Sequence, residues 1–382
     1  MIVVIADDLT GAAEIGGIGL RHNLTVEITS PADLSSRADL LIINTNSRSK
    51  SEEDAVKEMS ALCGNLKQLK PTLIFKKIDS VLRGHIVPEI EVQFKTFGLN
   101  QALLIPANPV MGRKIIEATY LIDGIPIHET DFSMDPEFPA KSSSILKMLP
   151  SKNLKVAVKH HLQELPLNEV VIGEVQSVDD LELWADRISD EILIAGSAAF
   201  FLAILNKRYT CFSKSYREHV SLGYPLLYVC GTKFNKSSAL IEGLKLKGQP
   251  VSYMPQALLE NNSDPVAIKT WADEVMALLQ AKGKAVIAID QKSVLNEDCV
   301  ALNLRNNMAL AVAEVYKKNN IGELIIEGGA TASAVLAQLN INKLFVVQEL
   351  APGVTRSLTT IKDLVITLKP GSYAWSKKIW KF

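Results

Sequence analysis

Short apolar runs rich in β-branched residues alternate along the chain with segments of helical period. Residues 2–5 precede a helical pattern over 11–21, 40–43 precede 52–69, 72–78 precede 86–97, and a further apolar run covers 102–105. That alternation is the signature of parallel strands joined by crossover helices. Between 106 and 150 it gives way to Pro, Gly, Asp and Ser, a stretch too long for an ordinary connection, which predicts an excursion carrying a hairpin and binding loops. Strand patterns return at 155–158 and 169–172, then a helix at 178–189, a strand at 192–195 and a helix at 198–205. A polar stretch without period, 207–224, marks a domain boundary and divides the chain into 1–215 and 225–382.

A second series follows. Strands are expected at 226–230, 251–253, 285–289, 323–326, 344–347 and 364–368, with helices at 236–247, 266–281, 299–318 and 332–339. The fold class is therefore α/β with two lobes, each a mostly parallel sheet flanked by helices, and an active site expected in the cleft between them. A length of 382 residues suits two such domains.

Composition narrows the function classes. Hydrophobic residues make up 47% of the chain and charged residues 22%, an ordinary globular balance. With 41 basic against 42 acidic residues the formal charge is −1, which supplies no global field for nucleic acid or an anionic membrane. The most apolar stretch, 192–205, is too short to span a bilayer and has Gly196-Ser197 inside it. Cys63, Cys211, Cys230 and Cys299 are widely spaced, without a metal-binding or disulfide pattern. A cytoplasmic location fits these cysteines and an N-terminus without a basic leader. His160-His161 are expected at the surface, and Trp375 and Trp380 as docking contacts for the tail.

Ligands of open α/β sheets bind beyond the carboxyl ends of the strands, so the residues that follow each strand carry the chemistry. After the first strand stand Asp7, Asp8 and Thr10; a helix cap would account for one oxygen there, not for two aspartates. The second edge is Asn44-Thr45-Asn46-Ser47-Arg48 and the third runs Lys76-Lys77-Ile78-Asp79-Ser80-Val81-Leu82-Arg83-Gly84. A fourth, Pro106-Ala107-Asn108-Pro109-Val110-Met111-Gly112-Arg113, adds another cation. Guanidiniums suit the carboxylate of a small hydroxylated acid, and aspartates suit its hydroxyls. In the second lobe Glu327-Gly328-Gly329-Ala330-Thr331 reads as strand, tight turn and helix start, a place for an anion such as phosphate. Gly231-Thr232 and Pro370-Gly371 could line the same groove, with Arg356 adding a cation.

These motifs together resemble the four-carbon acid sugar kinase family. The resemblance is carried by Ala-Asp-Asp-Leu-Thr-Gly-Ala at 6–12, Lys-Ile-Asp-Ser-Val-Leu-Arg-Gly at 77–84, Pro-Ala-Asn-Pro-Val-Met-Gly-Arg at 106–113 and Tyr-Leu-Ile-Asp-Gly-Ile-Pro-Ile-His-Glu-Thr at 120–130, followed by Asp135-Pro136. It implies a sugar-binding N-terminal domain, a nucleotide-binding C-terminal domain, and ATP-dependent phosphorylation of the terminal hydroxyl of a threonate, erythronate or 3-oxo-tetronate, with Mg²⁺. By the same likeness Asp8, Ser47, Arg48, Asp79, Ser80 and Arg83 match the sugar-acid side; the strand-edge pattern itself adds Asp7, Lys77 and Arg113 as substrate-binding residues, with Asp8 or Asp79 expected to accept the proton. The likeness puts Gly328, Gly329, Ala330, Thr331 and Gly371 on the nucleotide side, Gly231 and Thr232 are expected there from their place after a strand, and no metal ligand is identified. The chain departs from the family in having Ala330 where an acid is usual, with Glu327 before the glycines instead, and in its Gly231-Thr232-Lys233-Phe234 loop. A sensor that binds both ligands without transfer is the alternative; a hydrolase or aldolase using the aspartates alone is a third reading. The expected partner is the small-molecule acid, without nucleic acid or membrane, and with self-association left open.

Overall fold

The computed structural model describes residues 1–30, 33, 35–135, 138–151, 153–209, 221–231, 235–260, 263–290, 301–371 and 373–382. The chain divides into two compact units, Met1–Ser213 and Lys214–Phe382.

In the first unit the strands are β1 (Ile2–Ala6), β2 (Val26–Thr29), β3 (Leu40–Asn44), β4 (Leu73–Lys77), β5 (Gln101–Ile105), β6 (Arg113–Ile116), β7 (Thr119–Ile122), β8 (Ile125–Pro126), β9 (Lys155–Lys159), β10 (Glu169–Gly173) and β11 (Ile192–Gly196). The helices are α1 (Leu9–Arg21), α2 (Glu52–Leu69), α3 (Ile86–Phe97), α4 (Ile145–Met148), α5 (Val178–Ala185) and α6 (Ala198–Arg208). Eight strands form one sheet in the order β2-β3-β1-β4-β11-β5-β10-β9, and every neighbouring pair in it is parallel. The central strands are buried on both faces: β1 and β3 are apolar at nearly every position, as a helix-covered parallel sheet requires. One face packs Val3, Ile5, Leu41 and Ile43 against Met59, Leu62, Cys63 and Leu66 of α2.

Local signals explain where the helices begin. Ser51 caps α2 by accepting the Asp54 amide at 3.1 Å, and three acids fill its first turn. Ser197 caps α6, accepting the Phe200 amide at 3.3 Å. The excursion at 106–150 folds into the antiparallel sheet β6-β7-β8 with short 3₁₀ turns, so a hairpin stands where the loss of period predicted one. Strand β2 was not anticipated: Val26-Glu27-Ile28-Thr29 is only four residues long and follows closely on α1.

In the second unit the strands are β12 (Leu226–Cys230), β13 (Val251–Tyr253), β14 (Lys284–Ala288), β15 (Glu323–Glu327), β16 (Lys343–Ala351), β17 (Val354–Thr359) and β18 (Val365–Lys369). The helices are α7 (Asn235–Leu246), α8 (Gln256–Glu260), α9 (Pro265–Lys282), α10 (Ala301–Lys318) and α11 (Gly329–Gln338). The sheet order is β13-β14-β12-β15-β18-β17-β16. Its first five strands are parallel, and β18, β17 and β16 pair antiparallel. Val354, Thr355 and Arg356 belong to β17, so Arg356, expected to add a cation to the nucleotide groove, stands in a strand, and only the residues around Gly353 turn. The tail packs on this sheet: Trp375, Trp380 and Phe382 surround Tyr228, whose hydroxyl donates to the Ile379 carbonyl at 2.6 Å. Among the described residues no helix is long and apolar enough to cross a membrane.

Candidate functional site

Strand β1 is flanked by β3 on one side and β4 on the other, so the direction of winding reverses there, and the carboxyl ends of these three strands frame a topological switch point. Asp7 and Asp8 follow β1, Ser47 and Arg48 follow β3, and Asp79 follows β4. The fold thus gathers residues from three separate motifs at one edge.

Their hydrogen bonds form a tight network. Arg48 binds Asp7 through two guanidinium nitrogens, Nε to Oδ2 at 2.8 Å and Nη2 to Oδ1 at 2.9 Å, and Nη2 also reaches Asp8 Oδ1 at 2.8 Å. Arg83 grips Asp79 in the same bidentate way at 2.8 and 3.0 Å, and its Nη1 donates to Asp135 Oδ2 at 3.0 Å. The Arg83 amide returns to Asp79 Oδ2 at 3.2 Å, around a turn in which Leu82 takes φ of 65°. Burial alone would raise the Asp79 carboxyl, but Arg83 and Arg48 hold it well below the ordinary carboxylate range. Asp7 is likewise lowered: burial opposes the charge, and the Arg48 guanidinium outweighs it.

Asp8 differs from the other two aspartates. Its Oδ1 caps α1, accepting the Gly11 amide at 3.0 Å, and takes Arg48, while Oδ2 has no hydrogen-bond partner among the described residues. The cap and the site are therefore one carboxylate. Lys77 stands beside it: a Cβ placed on Gly11 would lie 2.8 Å from Asp8 Oδ1 and 3.2 Å from Lys77 Nζ. Lys76, one position earlier in β4, points to the opposite face as strand alternation requires, and pairs with buried Glu89 at 2.6 Å. Ser47 is buried and shares its hydroxyl with Thr45 at 3.0 Å, which ties down the β3 edge.

The excursion completes this edge. Arg113 Nη1 donates to the Ser80 hydroxyl, and the Tyr120 hydroxyl donates to the Ser80 carbonyl. Tyr120 is fully buried and its phenol is pushed well up, chiefly by burial. Tyr120 and Asp135 had no role in the residue-by-residue reading; both lie in or next to the 120–130 motif, and only the folded excursion shows what they touch. His160 and His161 lie elsewhere, both half-exposed, their rings tilted with centroids 3.9 Å apart and His161 edge-on to Trp184.

In the second unit the corresponding switch point lies between β12 and β15. Helix α11 opens at Gly328 without a side-chain cap, leaving the first amides of the helix unsatisfied by the chain. The backbone of Gly231, after β12, lies against this turn: a Cβ there would fall 2.2 Å from Thr331 Oγ1. The Gly328 amide donates to the Lys369 carbonyl at 2.9 Å, which brings in the third loop, the turn that carries Gly371. Gly329 is half-buried and Ala330 exposed, while Thr232 lies outside the described residues. Beneath this turn Glu327, fully buried, accepts Lys369 Nζ and Ser237 Oγ, each at 2.6 Å. Burial pushes its carboxyl up against the pull of Lys369, Ser237 and Cys230. Arg356 does not join this groove: it forms a bidentate pair with Glu323, at the opposite end of β15, at 3.1 and 2.9 Å. Among the described residues no three His, Cys, Asp or Glu side chains stand together as a metal site.

Comparison with known proteins gives two domain matches. Residues 2–204 match a sugar-binding N-terminal domain and residues 227–373 a nucleotide-binding C-terminal domain. The chain is 24% identical over 409 residues to the D-threonate kinase of Salmonella typhimurium, covering 97% of this chain and 95% of that protein. To the 3-oxo-tetronate kinase of Haemophilus influenzae it is 22% identical over 412 residues, covering 98% and 97%. A D-erythronate kinase of Heliobacterium modesticaldum is 29% identical over 186 residues, 47% of this chain and 41% of that protein. Among solved structures, a Salmonella typhimurium chain superposes with a TM-score of 0.79 at 16% identity, covering 98% of this chain and 96% of that one. A Haemophilus influenzae chain gives 0.69 at 19%, covering 97% of both. At these identities the superpositions speak for the fold.

Proposed function

Since the chain belongs to the four-carbon acid sugar kinase family, we propose that it transfers the γ-phosphoryl group of ATP to the terminal hydroxyl of a tetronate-type acid. Threonate, erythronate and 3-oxo-tetronate are the acceptors to test, because relatives matched over nearly the full length are a D-threonate kinase and a 3-oxo-tetronate kinase, and one matched over 47% of this chain is a D-erythronate kinase. The sugar-acid domain corresponds to 1–215 and the nucleotide domain to 225–382. ATP use suits a cytoplasmic enzyme.

The observation that carries the mechanism is the free Oδ2 of Asp8. In the transfer the substrate hydroxyl oxygen forms a bond to the γ-phosphorus, the bond from that phosphorus to the β,γ-bridging oxygen breaks, and its electron pair leaves with ADP. The hydroxyl proton needs an acceptor, and Asp8 is the aspartate of this edge with an uncommitted oxygen. Both oxygens of Asp79 are held by Arg83, so Asp79 serves better as the anchor of that arginine. Arg48 fixes Asp8 while leaving Oδ2 open. On the nucleotide side, the uncapped start of α11 and the turns at Gly231 and Gly371 suit phosphate oxygens, and positioning with electrostatic stabilisation supplies most of the catalysis in such reactions.

Mg²⁺ would shield the nucleotide's phosphates. The described residues do not fit a protein cage for it: Asp7 and Asp79 are taken by guanidiniums and Glu327 by Lys369. A magnesium ion riding on the nucleotide, keeping most of its water, matches that donor set.

The test is ADP release by the purified protein with ATP and Mg²⁺ across both threonates, both erythronates and their 3-oxo forms. Substrate-dependent ADP with one member is expected. Binding of both ligands without ADP release would favour a sensor, for which the Gly231-Thr232-Lys233-Phe234 sequence and Ala330 are the motivating departures, and turnover of an acid in the absence of ATP would favour a hydrolase or aldolase.

A further inference from the structure

We infer that Arg113, and not Arg48 or Arg83, reads the carboxylate of the substrate. The inference rests on the sugar-acid reading above and follows from an account of the lysines and arginines in the segments 44–50, 76–84 and 106–113. Arg48 is spent on Asp7 and Asp8, and Arg83 on Asp79 and Asp135. Lys76 is paired with Glu89 and Lys50 with Glu58. Within these segments Lys77 and Arg113 are the cations that make no ion pair with a carboxylate among the described residues.

Those two divide the edge between them. Lys77 is 4% exposed, donates to the Ile78 carbonyl at 2.8 Å, and stands next to Asp8 at the start of α1. It therefore belongs with the proton acceptor, at the reacting end. Arg113 is half-buried and spends one nitrogen, Nη1, on the Ser80 hydroxyl; Nε and Nη2 have no partner among the described residues. A guanidinium with open donors matches a carboxylate in a way that an ammonium does not.

Arg113 is also held before any ligand arrives. It opens β6, and its backbone exchanges two hydrogen bonds with Asn108, at 2.9 and 3.1 Å. The Phe132 ring lies 5.8 Å from the guanidinium carbon, and Ser80 is itself fixed by Tyr120. Preorganisation of this kind lowers the cost of ordering on binding. The Pro106–Pro150 excursion thereby acquires a purpose: it carries the selectivity for an acid to a sheet edge whose own arginines are already committed. Arg113 binds substrate and Asp8 performs the proton transfer, so the two ends of a short acid are recognised by different parts of the fold.

The experiment compares the best acid of the panel with the matching neutral four-carbon polyol, threitol or erythritol, which keeps the terminal hydroxyl and lacks the carboxylate. In Arg113→Gln the ratio of kcat/KM for acid over polyol should fall about 100-fold, through KM for the acid, because an open charge-assisted pair is lost. Arg113→Lys should recover part of the ratio, since charge returns without the fork. Direct calorimetric titration of the acid into both proteins reads the same contact without turnover. Wild-type protein that binds acid but makes no ADP, with binding lost in Arg113→Gln, would sink the kinase reading and keep this one. An equal loss for acid and polyol, or acid affinity unchanged in Arg113→Gln, would overturn it.

Discussion

At the scale of single residues, the three aspartates of the first sheet edge have the same chemistry and different surroundings. Asp8→Asn should lower kcat by about 10²- to 10⁴-fold with KM largely kept, as expected for loss of a general base. Asp79→Asn should act mainly on KM by loosening Arg83, and steady-state kinetics on both variants separates the roles; a kcat loss confined to Asp79→Asn would reverse them. Acid titration gives a second test. The folded Asp79 carboxyl lies below its unfolded value, so the folded state binds fewer protons. Its stabilisation is thus present above about pH 4 and is lost as pH falls through the lower folded value. Urea midpoints between about pH 2 and 5 should therefore decline less steeply for Asp79→Asn than for the wild type. Which residues stand at this edge was legible in the sequence, because each follows an apolar run. Which nitrogens remained open was not, since a guanidinium in a sequence carries no sign of the aspartate it will meet.

At the scale of elements, the turn at Gly328, proposed for phosphate, depends on two loops approaching through a glycine. Gly231→Ala would place a methyl group 2.2 Å from Thr331 Oγ1, so β12 and α11 must part at their ends. Overpacking of this kind costs about 1–3 kcal/mol, and ATP affinity should fall about tenfold or more while acid binding, measured by titration, persists. Adding Thr331→Ala should restore part of the loss, which a double-mutant cycle would measure. The parallel strands and their helices were legible because apolar runs bounded by turn residues are long enough to count. Strand β17 was not: Val354-Thr355-Arg356-Ser357 mixes polar and apolar residues after Pro352-Gly353, and its strand identity comes from pairing with β16 and β18. Arg356 was therefore assigned to a ligand when its partner is Glu323, 33 residues earlier.

For the whole molecule, each unit closes its own core, and the second does so with the end of the chain. Tyr228 sits inside a cage of Trp375, Trp380 and Phe382, donates to Ile379 and accepts the Lys381 amide at 3.2 Å. Tyr228→Phe keeps the ring and removes both bonds, so thermal unfolding should show a loss of about 1 kcal/mol. Removing residues 375–382 would expose the ring as well, and should destabilise the nucleotide-binding half far more than the point change does. The docking of this tail was legible in its tryptophans. The same packing gives the chain an optical property. The Trp375 indole lies with its ring 4.7 Å from the Lys369 ammonium, and Lys369 ties together Glu327 and Pro370 beneath the Gly328 turn. An indole so close to a buried ammonium emits according to where that charge rests, so the protein carries an intrinsic fluorophore wired to that turn, readable in a cuvette without a label.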